Sequence, residues 1–255
     1  AMPDGYADEA RDARDDAMAL ATGMGPRVRR AAAGWPTRRV LALAIEREGE
    51  PGLLPAARAE LERSRHLSSF AVRAAGDRGK WENIDALLAE HPADGCDWLL
   101  VVDDDVALPR GFLDAFVFLA ERFELRIAQP AHRARSHAAW RVTRRRPGTV
   151  VRQTAFVESG PLVGFHADTF RTLLPFPRLR AGWGLDTHWS AVARDRGWPI
   201  GVLDAIPVRH GVRRIATAYD RGAAVEEARE FLAHRPYVTA AEAQRTLASH
   251  RGWQR

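Results

Sequence analysis

The run Trp98-Leu-Leu-Val-Val-Asp-Asp-Asp-Val-Ala-Leu-Pro109 places five apolar residues directly before three consecutive carboxylates. An apolar run of that length, unbroken by polar alternation, is the pattern of a strand buried on both faces of a parallel sheet. Three adjacent carboxylates at the end of such a strand repel one another. A bound divalent cation removes that cost, and Mg²⁺ and Mn²⁺ prefer carboxylate and phosphate oxygens. The competing reading of Asp103, Asp104 and Asp105 is an acidic capping turn ahead of a helix opened by Pro109.

The sequence upstream repeats one unit. Residues 40–45 form an apolar run of strand length, 46–51 supply turn residues and 53–65 carry a helical pattern. Residues 69–74, 76–79 and 81–90 then read as strand, loop and helix before the acidic strand. Strands alternating with helices predict a mostly parallel sheet, because a parallel pair needs a crossover that covers one face. The expected fold class is therefore α/β, a Rossmann-like three-layer sandwich. Ligands in such sheets collect beyond the carboxyl ends of the strands, where the acidic triplet lies.

Downstream, the sequence predicts a helix over 111–123, a strand over 126–129, and a polar arginine-rich excursion over 132–149 acting as a mobile flap. Residues 153–165 read as extended structure broken by Gly160 and Pro161. Helices follow over 167–173 and 189–197, an extended stretch over 200–208, and terminal helices over 225–234 and 240–250. Residues 7–22 suit a helix, while 23–34 carry breakers and a basic run. The division that follows is an N-terminal arm (1–37), a catalytic domain (38–221) and C-terminal helices packed on that domain (222–255).

Composition narrows the class. A hydrophobic share of 46% and a charged share of 28% suit an ordinary globular domain, so neither disorder nor a fibrous architecture fits. No apolar run approaches the ~20 residues of a spanning helix. The acidic opening and the single Cys96 predict cytoplasmic residence, with loose attachment to a membrane surface left open. The formal charge of +5 is almost all arginine, Lys80 being the single lysine, which reads as compositional bias rather than a nucleic-acid footprint. The cluster of Arg141 with Arg144, Arg145 and Arg146 reads either as a loop meeting an anionic donor, acceptor or membrane surface, or as a solvated loop.

Strand, Asp-Asp-Asp and a proline-opened helix together resemble the DxD segment of GT-A glycosyltransferases, family-2-like enzymes among them. The resemblance implies Asp105 as a metal ligand, Asp103 as a contact to the sugar-nucleotide donor and Asp104 as a bridging group or one that supports the ligands from behind. Gly79-Lys80-Trp-Glu-Asn83 resembles a nucleotide-proximal Gly-Lys…Asn stretch, implying Lys80 as a phosphate or uracil contact; its bland alternative is a surface side chain at a helix start. Glu46 and Asp77, at the ends of the first two strands, hold the positions that contact base and ribose in this fold. The second strand ends in Ala-Ala-Gly-Asp77, a departure from the Asp-Asp-Gly-Ser pattern of family-2-like enzymes.

Glu158-Ser-Gly-Pro-Leu-Val-Gly-Phe165 resembles the glycine-bearing segment that lines the acceptor side, implying donor contact at Gly160 and Gly164 and a catalytic carboxylate at Glu158. A bulged strand is the alternative for the two glycines. Ala181-Gly-Trp-Gly-Leu-Asp-Thr-His188 resembles the Trp-Gly-Leu-Asp segment of an uncharacterised glycosyltransferase-like family of plants and bacteria. That comparison implies Asp186 as catalytic base of an inverting transfer, against a helix N-cap as the alternative. The strand ending Val-Arg-His210-Gly resembles the close of the same family's domain, implying His210 as second metal ligand and tilting the metal from Mg²⁺ toward Mn²⁺. Arg209, Arg213 and Arg214 would then cover the diphosphate.

The function these resemblances imply is metal-dependent transfer of a sugar, hexosyl in type, from a UDP- or GDP-sugar to a hydroxyl of a small-molecule, glycan or lipid-linked acceptor. A nucleotidyltransferase is a second class, although Glu46-Arg-Glu-Gly-Glu50 stands where that class usually carries a glycine-rich phosphate loop and would repel phosphate. A sugar-nucleotide or nucleic-acid binding module without catalysis is a third.

Overall fold

The computed structural model describes residues 5–211 and 220–254. After helices α1 (Gly5–Ala21) and α2 (Met24–Ala33), the chain runs β1 (Arg39–Glu46), α3 (Leu54–Glu62), β2 (Leu67–Ala74), α4 (Lys80–Glu90) and β3 (Trp98–Asp103). The short β4 (Val106–Ala107), α5 (Phe112–Arg122) and β5 (Ile127–His132) follow, then β6 (Val151–Thr154), β7 (Leu162–His166) and α6 (Phe170–Leu173). The last elements are α7 (Leu185–Asp195), β8 (Ile200–His210), α8 (Arg221–Leu232), α9 (Ala240–Ala243) and β9 (Thr246–His250).

The strand order is β2-β1-β3-β7-β5-β8-β6-β9, with β4 pairing β8 off that path. Strands β2, β1, β3, β5 and β8 share one direction; β7 is inserted antiparallel between β3 and β5. The fold is α/β, a mixed sheet between two helical layers.

Alternation along the central strands builds both layers. Val40, Ala42 and Ala44 of β1 and Trp98, Leu100 and Val102 of β3 face a core shared with α2, α3 and α5, including Val28, Leu61 and Phe116. Their odd-numbered neighbours Leu41, Leu43, Leu99 and Val101 pack with Trp81 and Ile84 of α4 and Leu185 and Trp189 of α7. Successive strand side chains point to opposite faces, so a continuous apolar run is what a doubly covered strand requires.

Three expectations change. Residues 23–34 are not a broken basic arm: α2 occupies them, and Val28 and Ala32 are buried in the main core. The C-terminal stretch 240–250 is helical only over Ala240–Ala243; β9 takes the rest and pairs with β6, because its alternating burial suits a strand lying on the sheet edge.

The third is the arginine-rich excursion, which is anchored rather than a free flap. Arg152 on β6 and Asp204 on β8 form a buried two-pronged pair, Nε to Oδ2 at 2.7 Å and Nη2 to Oδ1 at 3.0 Å. Arg152 also donates to the carbonyls of Val142 and Arg144, while Asp204 accepts from the Arg146 amide and the Thr149 hydroxyl. The pair therefore satisfies the backbone of the excursion as well as itself. Of the cluster, Arg144 donates to the Ala134 carbonyl and Arg145 reaches Asp16 at 2.9 Å. Neither these two nor Arg141 and Arg146 line the main cleft.

Candidate active-site cleft

A cleft of about 1150 Å³ opens beyond the carboxyl ends of β1, β2 and β3. That is somewhat above the range of about 300–1,000 Å³ usual for small-ligand sites. Two strand registers converge at its floor. The β4–β8 pairing sets Val106 opposite His210, which brings the imidazole beside Asp105. His210 Nε2 lies 3.1 Å from Asp105 Oδ1. The β3–β7 pairing, Val102 opposite Leu162, brings the preceding residues of β7 alongside Asp103, whose amide donates to the Pro161 carbonyl at 2.7 Å.

Asp103, Asp105 and His210 each offer a ligand atom, and these atoms lie within 4.8 Å of one another. Two carboxylates and an imidazole form a donor set suited to Mn²⁺ and acceptable to Mg²⁺. Asp103 thus joins the set that the sequence assigned to Asp105 and His210. Burial pulls the His210 imidazole down, but the hydrogen bond to Asp105 and the charges of Asp103 and Asp105 outweigh it and hold the ring above its usual value. Lys80 Nζ stands 2.6 Å from Asp103 Oδ1 and donates to the Ser159 carbonyl at 3.1 Å. It is the first residue of α4, turned into the cleft rather than to solvent.

Asp104 also lines the cleft but is engaged with the backbone behind it. Its Oδ2 accepts from the Arg47 amide at 2.8 Å and its carbonyl from the Leu53 amide at 2.6 Å, so it ties the loop after β1 to the acidic turn. Glu46 is exposed and does not line the cleft, whereas its neighbours Ile45 and Arg47 do. The strand pleat sends alternate side chains to opposite faces, so the residue singled out there is one place out of phase. Asp77 is exposed on the cleft wall.

Segment 158–161 ties the two halves of the site together. A Cβ on Gly160 would meet Asp103 Oδ2 at 3.0 Å, so glycine is what lets this backbone lie against the carboxylate. Gly164 has a different role from the one expected of it. It sits mid-strand opposite Leu100 and Ala128, and its missing side chain leaves room for Phe116 and Leu100, whose atoms a Cβ would meet at 2.5 and 2.7 Å. It belongs to the core and lies outside the cleft.

Asp186 lies in the first turn of α7, two residues after the left-handed Gly184 that caps the helix (φ 92°). It lines the cleft and accepts the Thr187 amide at 2.9 Å and the Ser159 amide. Its carboxyl is pushed up to about 7, first by burial and then by the negative charge of Glu158, against the pull of those amides. Glu158 behaves oppositely. Burial would raise it, but His132 Nε2 at 3.3 Å, the Ala139 amide at 3.0 Å and the Thr143 hydroxyl at 2.9 Å together hold it below the usual carboxylate range. Glu158 lines the cleft and braces segment 139–143, and its charge acts on Asp186.

Two indoles that the sequence reading left without a role, Trp140 and Trp183, also line the cleft. Trp140 packs against Phe156, with ring centroids 4.7 Å apart. Trp183 rides on a loop that Glu227 of α8 grips through the amides of Arg180, Ala181 and Gly182, at 2.7, 3.0 and 3.0 Å. Gly182 (φ 72°) is obligatory there, because a Cβ would strike Trp81 at 2.1 Å. The flanking glycines were the available signal for Trp183; nothing local singles out Trp140. Arg209 pairs with Ala107 and lies outside the cleft lining, and Arg213 and Arg214 lie outside the described residues.

No family model matches the chain, and no curated protein matches it. Among solved structures it is similar to A197 from STIV, at TM-score 0.48 and 11% identity over 69% of this chain and 86% of that one. It is also similar to GalNAc-T7 crystallised with UDP, GalNAc and Mn²⁺, at TM-score 0.48 and 10% identity over 70% of this chain and 45% of that one. The inositol-1-phosphate CTP transferase of T. maritima gives TM-score 0.32 and 12% identity over 81% and 82%. At these values the likenesses name no family. Among the described residues no helix is long and apolar enough to cross a membrane.

Proposed function

We propose that the protein is a metal-dependent glycosyltransferase that moves a sugar from a nucleoside-diphosphate sugar to an acceptor hydroxyl with inversion. The observation that carries the reading is the convergence of Asp103, Asp105 and His210 on one point at the floor of a cleft whose other wall holds Asp186. Those three residues would hold Mn²⁺ or Mg²⁺, which when bound supplies counter-charge to a diphosphate leaving group. Lys80, held beside Asp103, adds a positive charge for the same phosphates.

Asp186 serves as base. The acceptor hydroxyl gives its proton to a carboxylate oxygen of Asp186 while its own oxygen forms the bond to the anomeric carbon. The bond from that carbon to the diphosphate oxygen breaks, and its electron pair leaves with the diphosphate. A base that titrates near neutrality is well matched to this task. Glu48 and Glu50 on the loop after β1 line the donor end of the cleft, which disfavours the nucleotidyltransferase reading with its phosphate-cradling loop.

Calorimetry with UDP and GDP, with and without Mn²⁺, tests the reading. Nucleotide binding that requires Mn²⁺ supports it, and salt-sensitive binding to DNA alone would remove it. Asp186→Asn is expected to abolish transfer while leaving Mn²⁺-dependent nucleotide binding nearly intact; surviving transfer would refute the base assignment.

A further inference from the structure

Helix α1 docks on the domain in an unusual way. Its inward face is acidic: Asp8, Asp12 and Asp15 are 9, 7 and 4% exposed, while Tyr6 and Leu20 are 93 and 79% exposed. The spacing of those three acids, four then three residues, puts them on one helical stripe. Apolar burial therefore does not hold this helix in place. Asp8 and Asp15 pair with Arg11 and Arg14 of α1 itself, and the partners across the interface are charges and amides of the turn after β5 together with Arg145. Asp12 Oδ1 accepts the Ala134 amide at 2.8 Å and Oδ2 accepts the Arg135 amide at 3.0 Å. Glu9 reaches Arg135 at 3.1 Å, and Asp16 pairs with Arg133 and Arg145.

The same turn holds the imidazole at the floor of the cleft. Ser136 Oγ accepts the His210 amide at 3.0 Å and donates to the Val208 carbonyl at 3.1 Å. The His137 amide donates to the His210 carbonyl at 2.7 Å, and the His137 carbonyl lies 3.3 Å from His210 Nδ1. With Nδ1 engaged by that carbonyl, Nε2 is the nitrogen directed at Asp105.

We propose that α1 is an ionic strap that positions His210, with Asp12 as its positioning residue. Asp12 supplies both oxygens to consecutive amides of the turn, and the next two residues of that turn fix the backbone and the ring orientation of His210. Groups bonded directly to a metal-ligating histidine typically change metal affinity by about 10–100-fold when removed, and Asp12 acts one step further out, through the turn that carries them, so its effect is smaller. This inference rests on the metal reading of the cleft, and it assigns a further residue, remote from the cleft, to the performance of the site.

The test is Mn²⁺ binding to the full-length protein, followed by the loss of the free-ion electron paramagnetic resonance signal, for wild type, Asp12→Asn, Asp12→Ala and the control Glu121→Gln. Glu121 accepts from Trp35, Arg38 and Trp98 well away from the strap, so its substitution disturbs folding without touching the turn. Asp12→Ala should weaken Mn²⁺ binding several-fold, Asp12→Asn less because it keeps one acceptor oxygen, and Glu121→Gln not at all. Equal affinity in wild type and Asp12→Ala, or the same loss in Glu121→Gln, would overturn the strap. If wild type takes up no Mn²⁺, the metal reading fails instead. The strap is then decided by the His210 ring signals of the metal-free protein in nuclear magnetic resonance, which must move in Asp12→Ala and hold in Glu121→Gln.

Discussion

Replacing Asp186 by Asn should make the metal-free protein more stable relative to wild type as pH rises. A carboxyl pushed from its ordinary 3.8 to about 7 is protonated in the folded state where the unfolded chain has already ionised. Its favourable contribution is therefore full below pH ~4 and is lost as pH rises through 7. At about 1.36 kcal/mol per pH unit, ionising Asp186 in the fold costs about 4 kcal/mol, and about 2 to 3 kcal/mol of that falls between pH 5 and 8. Asparagine keeps an oxygen for the Thr187 or Ser159 amide and cannot ionise, so any fixed difference in packing or hydrogen bonding cancels from the pH dependence. The assay is urea unfolding of both proteins in EDTA at pH 5, 6, 7 and 8, comparing midpoints at constant slope. A stability difference that stays flat over that range, or that moves toward wild type with rising pH, would refute the claim that Asp186 sits in a desolvated position beside a charged Glu158.

Four other expectations are open to direct measurement. Arg152→Ala should lower unfolding free energy by about 3–5 kcal/mol in a denaturant titration, because it leaves Asp204 charged and buried without its partner. Gly164→Ala should cost about 1–3 kcal/mol by overpacking Phe116 and Leu100, yet leave Mn²⁺-dependent nucleotide binding per folded molecule unchanged in calorimetry. Gly160→Ala should do the reverse, weakening that binding several-fold with little change in melting temperature, since its added carbon presses on the Asp103 carboxylate. Glu227→Ala should loosen the loop bearing Trp183, seen as faster amide exchange at residues 180–182 with the exchange of the central strands unchanged.

The central βα units were legible because their signal is local. Five apolar residues before Asp103, and the matching run from residue 40, can satisfy only a strand covered on both faces. The convergence of Asp105 with His210 was readable only through resemblance, since the register that joins Val106 to His210 leaves no local trace. Gly160 and Gly164 are indistinguishable as letters; one faces a carboxylate and the other a phenyl ring, and only the pairing of β3 with β7 separates them. The misreading of residues 240–250 has a similar origin. An alanine-rich start with a good Thr239 cap does begin a helix, but edge pairing with β6 takes over the rest. Burial of α2 was missed because its apolar stripe is reduced to Val28, Ala32 and small neighbours.

The antiparallel contact between β4 and β8 also bears on how the protein is made. A ribosome releases the chain from its amino end, so the carboxylates at 103 and 105 emerge well before the imidazole that completes their trio. Until β8 arrives and zips onto Val106 and Ala107, the acidic turn is without the His210 imidazole. Completion of the proposed cation site thereby waits for one of the most sequence-distant closures in the sheet, a step expected among the slowest to form.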